Sequence, residues 1–302
     1  MAKFQNILLT GINGQVGYEL QLSLASLGKV HALDRSQLDL SNPDNIRQVV
    51  QSIKPDLIVN PAAYTAVDKA EVEPDLANAI NAIAPQILAE EAAKLGAAMV
   101  HYSTDYVYDG TKPTPYMETD VTNPLSVYGK TKLAGEAAIR AAALPHLILR
   151  TSWVYGARGR NFMNTILRLA SERESLGIVA DQFGAPTSSR VIAEATVSAL
   201  ASWTKDKSGT YHLTCGCVTS WHGFAQAIIE EYELLRELRH WPVLKASVEN
   251  IFPITTADYP TPAARPANSK LNCDKLSSTF GLVLPEWRVA LKQVMAEHLF
   301  KG

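Results

Sequence analysis

Cysteine is scarce: three residues in 302, namely Cys215, Cys217 and Cys273. An odd set with one glycine between the first two provides neither a disulfide framework nor zinc-type spacing, so reduced structural thiols are expected. Long apolar runs are missing as well. Nowhere do about 18 apolar residues follow one another, which excludes a membrane-spanning helix of ordinary kind. From Met1 through Lys3 the chain runs straight into the short apolar stretch Ile7 to Leu9, shorter than a signal-peptide core, and a cytoplasmic protein is expected. Charge of one sign is lacking too: 28 basic against 30 acidic residues, interspersed, give a net charge of -2. That balance excludes the basic footprint of a nucleic-acid or anionic-membrane binder. There is no internal repeat, low-complexity tract or long charge run, and His212, His222 and His240 lack metal-ligand spacing and read as caps or packing.

What is present is enough apolar residue, 47%, for one large or two smaller cores. The first half alternates short apolar runs with longer alanine-rich amphipathic ones, the pattern of β-α units feeding a parallel sheet. Strands are predicted at Asn6-Thr10, Val30-Leu33, Leu57-Asn60, Ala98-Ser103 and Leu147-Thr151, and helices at Gln15-Ser26, Asn42-Ser52, Pro74-Lys94 and Val127-Ala142. Starts such as Ser41-Asn42-Pro43 and Asn123-Pro124 carry capping residues. The expected fold is α/β: a doubly wound parallel sheet of Rossmann type, with a second, smaller mixed α/β substrate domain. Residues 1–151 form the first unit and 152–302 the second. The boundary is interleaved, since 190–204 reads as an alanine-rich helix packing back onto the first unit. The proline-rich run from Tyr259 to Pro266 is expected as an ordered loop or a mobile lid.

Directly after the first strand stands Gly11-Ile12-Asn13-Gly14-Gln15-Val16-Gly17. Gly11 permits a tight turn, Gly14 lets backbone N–H groups approach a pyrophosphate, and Gly17 lets the helix pack closely on the strand. Three spaced glycines also occur in plain turns; strand before and helix after favour a dinucleotide. Asp34, about 20 residues on, is placed to accept from an adenosine ribose. Its neighbour Arg35 suits either a 2′-phosphate or a surface ion pair, so NADPH and NADH both remain open. Asp39 and Leu40 are candidates to flank the adenine, and Ala62, Ala63, Tyr64 and Thr65 to line the cofactor's path, unless these are ordinary strand-end loops.

Tyr128 and Lys132 lie four apart on a predicted helix and share one face. Alone such a pair fits a solvated face. It gains force from His101-Tyr102-Ser103-Thr104-Asp105, which ends an apolar strand and sets Thr104 at the sheet edge where a nicotinamide would lie. Hydride reaching a carbonyl carbon makes an alkoxide that needs a proton, and a phenol near an ammonium is expected to become acidic enough to serve. Lys132 also suits the nicotinamide ribose, Thr104 the same oxygen as Tyr128. Asp105 suits the sugar hydroxyls or a loop cap.

These blocks resemble the extended short-chain dehydrogenase/reductase superfamily and, within it, the family that forms dTDP-β-L-rhamnose. The resemblance runs through GINGQVG, NPAAYTAVDKAE from Asn60, HYSTDYVYDGT from His101, VYGKTKLAGE from Val127, LRTSWVYG from Leu149, DQFGAPT from Asp181 and RPANSKL from Arg265. It implies reduction of the C4 ketone of dTDP-4-dehydro-β-L-rhamnose by NADPH or NADH. Tyr128 is then the proton donor, Lys132 its partner, and Thr104 with Asp105 the substrate-contacting pair. Trp153 matches a position facing the sugar nucleotide, where it is otherwise a core tryptophan, and Arg265 and Asn268 lie in a family-like loop and suit the diphosphate. One departure stands out. The resemblance implies a magnesium ion held by glutamates at a dimer contact, yet the matching positions are Arg190 and Arg288. Guanidinium groups do not ligate a hard cation, so no bound metal and a monomer or weak homodimer are expected. Dehydratases of this superfamily carry Thr-Asp-Glu, whereas Tyr106 follows Thr104-Asp105 here, which favours net reduction over dehydration or epimerisation. A non-catalytic cofactor-binding subunit has no need of Thr104, Tyr128 and Lys132 together.

Overall fold

The computed structural model describes residues 3–298. Six strands form one parallel sheet: β1 (Asn6–Leu9), β2 (Lys29–Ala32), β3 (Leu57–Asn60), β4 (Ala98–Thr104), β5 (His146–Thr151) and β6 (Gly209–His212), in the order β6-β5-β4-β3-β1-β2. The five expected strands are there within a residue at each end. The sixth was not foreseen: Gly-Thr-Tyr-His is too short and too polar to announce a buried strand, and pairing with β5 makes it one.

Side chains alternate across the sheet and both faces are covered, which is why the strands read as unbroken apolar runs. Ile7, Leu9, Val59 and Leu149 face α1 (Gln15–Ser23) and a later helix over residues 189–202, whose Ile192, Ala199 and Leu200 join their core. Leu8, Ile58, Met99 and Ile148 face the other way, against Ile46 and Val50 of α2 (Pro43–Ile53), Ile87 and Leu88 of α3 (Ala84–Leu95) and Ile139 of α4 (Val127–Ala141). Each buried aliphatic side chain here contributes roughly 2 kcal/mol. The expected single helix over 74–94 is three pieces instead: Pro74–Asn78, a π-turn Ala79–Ile83, and α3. The π-turn swings the buried Asn81 inward, where it ties the backbone of Tyr64 (2.8 and 3.1 Å) to the Thr131 hydroxyl.

A second core gathers Tyr155, Met163, Phe224, Ile228, Tyr232 and Trp287 among α5 (Phe162–Glu172), α7 (Trp221–Arg239), α9 (Trp287–Glu297) and the strand pair Leu176–Val179 with Ile251–Ile254. α6 (Ser189–Ser202) and the short α8 (Asp274–Phe280) belong to the first core, which takes in Ile192, Leu200, Leu276 and Phe280. Among the described residues no helix is long and apolar enough to cross a membrane.

Candidate active site

The registers align the carboxyl ends of β1, β3, β4 and β5, so Gly11, Pro61, Thr104 and Thr151 meet at one edge, beside the place where strand order reverses. A cleft of about 590 Å³ opens there. Gly11 has φ +61, and a Cβ on it would stand 2.7 Å from that of Ala62; a Cβ on Gly17 would stand 2.2 Å from the Gly11 carbonyl oxygen. Neither position tolerates a side chain. Gly14 faces the cleft and starts α1 with no side-chain cap, leaving the helix's first N–H groups available to an anion. This cradle, together with Asp105 Oδ2 and Thr151 Oγ1, buried cleft atoms with no hydrogen-bond partner among the described residues, fits an anionic dinucleotide and a polar substrate.

The candidate reacting groups are brought together by packing between segments that are apart in sequence. A Cβ on Gly129 would lie 2.2 Å from the Tyr106 carbonyl oxygen, so only glycine lets the first turn of α4 press against the end of β4. Ser126 caps that turn, accepting from the Gly129 N–H at 3.1 Å. Tyr128 is thereby held edge-on to Tyr106, with ring centroids 5.5 Å apart, and within reach of the Thr104 hydroxyl. Thr104 in turn donates to Asp105 Oδ1 at 3.0 Å.

The expected acidification of Tyr128 by Lys132 is not what the structure has. Burial pushes the phenol pKa upward, Thr104 pulling down and Asp105 pushing up being smaller effects. The reason is direction: the buried Lys132 Nζ donates to the Tyr102 carbonyl at 2.6 Å and sits 3.3 Å from His101 Nε2, rather than turning to the phenol. Burial also brings the lysine down to about 8, against a smaller upward pull from Glu136. Asp105 is raised by burial to about 6.

Of the residues singled out from sequence, Gly11, Gly14, Gln15, Val16, Gly17, Ala62, Ala63, Thr65, Thr104, Asp105, Tyr128, Lys132 and Trp153 line this cleft. The others stand elsewhere. Asp34 accepts from the Ser36 N–H and hydroxyl; Arg35 is exposed beside Asp39 at 3.8 Å, and Asp39 caps Ser41. Leu40 is packed in the core, where its apolar side chain gains most, and the Tyr64 hydroxyl donates to Glu73 at 2.6 Å. Arg265, in the proline-rich run, pairs with Asp68 at 2.7 Å, and Asn268 donates to the carbonyls of Lys112 and Thr114. Asn13, Ser103, Tyr106, Ser152 and Arg160 line the cleft without having been singled out. The first four fall inside the quoted motifs, which was the available signal; Arg160 lies beyond them.

Trp153 has a left-handed backbone, φ +49, and its indole stacks on Trp221 with centroids 3.5 Å apart. A Cβ on Gly184 would stand 2.7 Å from that indole. Strain of this kind persists where the surroundings over-determine it, commonly at functional positions. Arg190 is engaged by Glu194 and Glu297, and Arg288 by Glu230 at 3.0 Å. The three cysteines are free thiols.

Residues 5–300 match the family model of the RmlD substrate binding domain. The chain is 47% identical over 298 residues to a dTDP-4-dehydrorhamnose reductase of Shigella flexneri, covering 97% of both chains. Its fold matches a crystal structure of a dTDP-4-dehydrorhamnose reductase from Clostridium acetobutylicum with TM-score 0.88 at 38% identity, over 97% of this chain and 99% of that one. A Bacillus anthracis dTDP-4-dehydrorhamnose reductase in complex with NADP matches with TM-score 0.87 at 35% identity, over 98% and 100%.

Proposed function

Because the chain belongs to the RmlD substrate-binding-domain family, whose close relatives here are dTDP-4-dehydrorhamnose reductases, we propose that it reduces the C4 ketone of dTDP-4-dehydro-β-L-rhamnose to dTDP-β-L-rhamnose with NADPH or NADH. What supports this reading most is one cleft holding both the glycine cradle and the Thr104, Tyr128 and Lys132 side chains.

Gly11, Gly14 and Gly17 with the start of α1 would hold the diphosphate, and Lys132 the nicotinamide ribose. The bound cofactor supplies hydride to C4. As charge grows on the C4 oxygen, Tyr128 donates its phenolic proton to it and becomes a phenolate, and the Thr104 hydroxyl, rotated away from Asp105 Oδ1, donates to the same oxygen. A phenol whose pKa is raised carries its proton throughout the neutral range, and an alkoxide is a far stronger base than a phenolate, so the transfer runs downhill without prior acidification. Trp153 offers the sugar an aromatic wall, Asp105 Oδ2 an acceptor, and Arg265 and Asn268 shape the loop behind them. Asp34 and Arg35, just beyond the end of β2, would take the adenosine ribose or its phosphate.

The test is an assay of the purified protein with dTDP-4-dehydro-β-L-rhamnose and each reduced cofactor, with the sugar product identified. One cofactor oxidised per rhamnosyl product is expected. Isomerised or dehydrated sugar without net cofactor consumption would overturn the assignment.

A further inference from the structure

Behind Lys132 runs a chain of side chains that never meets solvent: Thr10 at the end of β1, Asn60 at the end of β3 and His101 within β4, exposed by 1%, 0% and 0%. Thr10 Oγ1 lies 2.7 Å from Asn60 Oδ1, Asn60 Nδ2 lies 3.2 Å from His101 Nδ1, and His101 Nε2 lies 3.3 Å from Lys132 Nζ. Each buried member has its partner in the next, so the hydrogens along the chain are interdependent.

A neutral imidazole carries one N–H and one lone pair. With the Asn60 amide nitrogen turned to His101, Nδ1 accepts, the proton lies on Nε2, and it points at Lys132; that arrangement needs an uncharged lysine. An amide's oxygen and nitrogen have the same shape, so reversing Asn60 fills the same space. The His101 Nδ1–H then donates to Asn60 Oδ1, Asn60 Nδ2 donates to Thr10 Oγ1, and the Nε2 lone pair accepts from the Lys132 ammonium. An ammonium has three donors and no acceptor, so a charged Lys132 admits only this second arrangement.

We propose that His101 is a positioning residue for Lys132: held as the Nδ1–H tautomer by Asn60 and Thr10, it presents its Nε2 lone pair to the lysine ammonium and, with the Tyr102 carbonyl, fixes where that charge stands. The inference rests on the reading of Lys132 as part of the reductase site. Lys132 is the charged group that acts on His101, and burial with that charge holds the imidazole neutral. On the far side Glu136, one helical turn beyond Lys132 on α4, is bound by Arg150 of β5 at 2.8 and 2.6 Å, while Asp105 and Tyr128 stand beyond the end of β4.

Two measurements decide it. Selective ¹⁵N labelling of histidine in the wild-type protein at neutral pH is expected to show His101 neutral, with its proton on Nδ1. Replacing His101 by Leu removes the acceptor and is expected to lower kcat about tenfold and move the basic limb of the rate profile to lower pH, while His101→Gln, whose amide oxygen reaches the Nε2 position, restores both. A proton found on Nε2 at neutral pH, or a Leu variant whose basic limb stays in place, overturns the proposal. The tautomer is read without any substrate, so its failure is distinguishable from failure of the reductase assignment, which shows in the product assay.

Discussion

Lys132 loses its charge within the working range because its ammonium is buried behind the cleft, and its pKa of about 8 has a sign that can be followed. Below that pH the ammonium is present; above it, the free enzyme holds an uncharged amine. The kcat/KM profile is therefore expected to fall above pH 8, and a profile flat to pH 10 would contradict the buried ammonium. For stability the same group works in the opposite direction. Between about 8 and the ordinary lysine value of 10.5 the unfolded chain binds the extra proton, so this side chain's contribution to folding becomes less unfavourable as pH rises through that window. At this scale the sequence is legible where spacing and its setting agree: Gly11, Gly14 and Gly17 between a strand and a helix, and Tyr128 with Lys132 once the strand ending at Thr104 is set beside them. It is illegible where the partner is remote. Nothing near Gly129 announces the Tyr106 carbonyl, nothing near Gly184 announces the Trp153 indole, and helical spacing does not reveal that Lys132 Nζ turns to Tyr102.

α4 carries the proposed reacting pair, Tyr128 and Lys132, on its first two turns, so its start fixes the geometry of the phenol. Ser126 caps it from a buried position, and the Val127 N–H is taken by Glu71 at 2.8 Å. Ser126→Ala is expected to lower stability by about 1 kcal/mol, read as a fall in Tm of roughly 2 °C, with kcat reduced more than cofactor affinity. An unchanged Tm would mean the cap does not hold the helix. The capping logic of α2 is plain in the sequence, since Asn42 accepts from the Asp44 and Asn45 N–H groups and Pro43 opens the first turn. The π-turn before α3 is not: alanine-rich helical periodicity continues straight through Ala79–Ile83, and the partners of the buried Asn81, Tyr64 and Thr131, are remote in sequence.

The candidate cofactor cradle and Trp153 line one cleft, and the Trp153 indole stacks on Trp221, which packs against the second core. The first half of the fold follows from alternation of apolar runs. The second does not, because its core comes from helices and very short strands whose pairing is non-local. Arg190 and Arg288, each already neutralised by glutamates of its own chain, offer no ligands to a hard cation. Full activity is expected in excess chelator, and strict magnesium dependence would show a metal site this reading omits.

The central claim is that the Tyr128 phenol delivers a proton to the C4 oxygen, and its most direct measurement is the Tyr128→Phe enzyme, titrated with NADPH and then assayed for turnover. NADPH binding within a few-fold of wild type, together with a loss of about a hundredfold or more in kcat, is predicted. Turnover at the wild-type rate would remove Tyr128 from the chemistry.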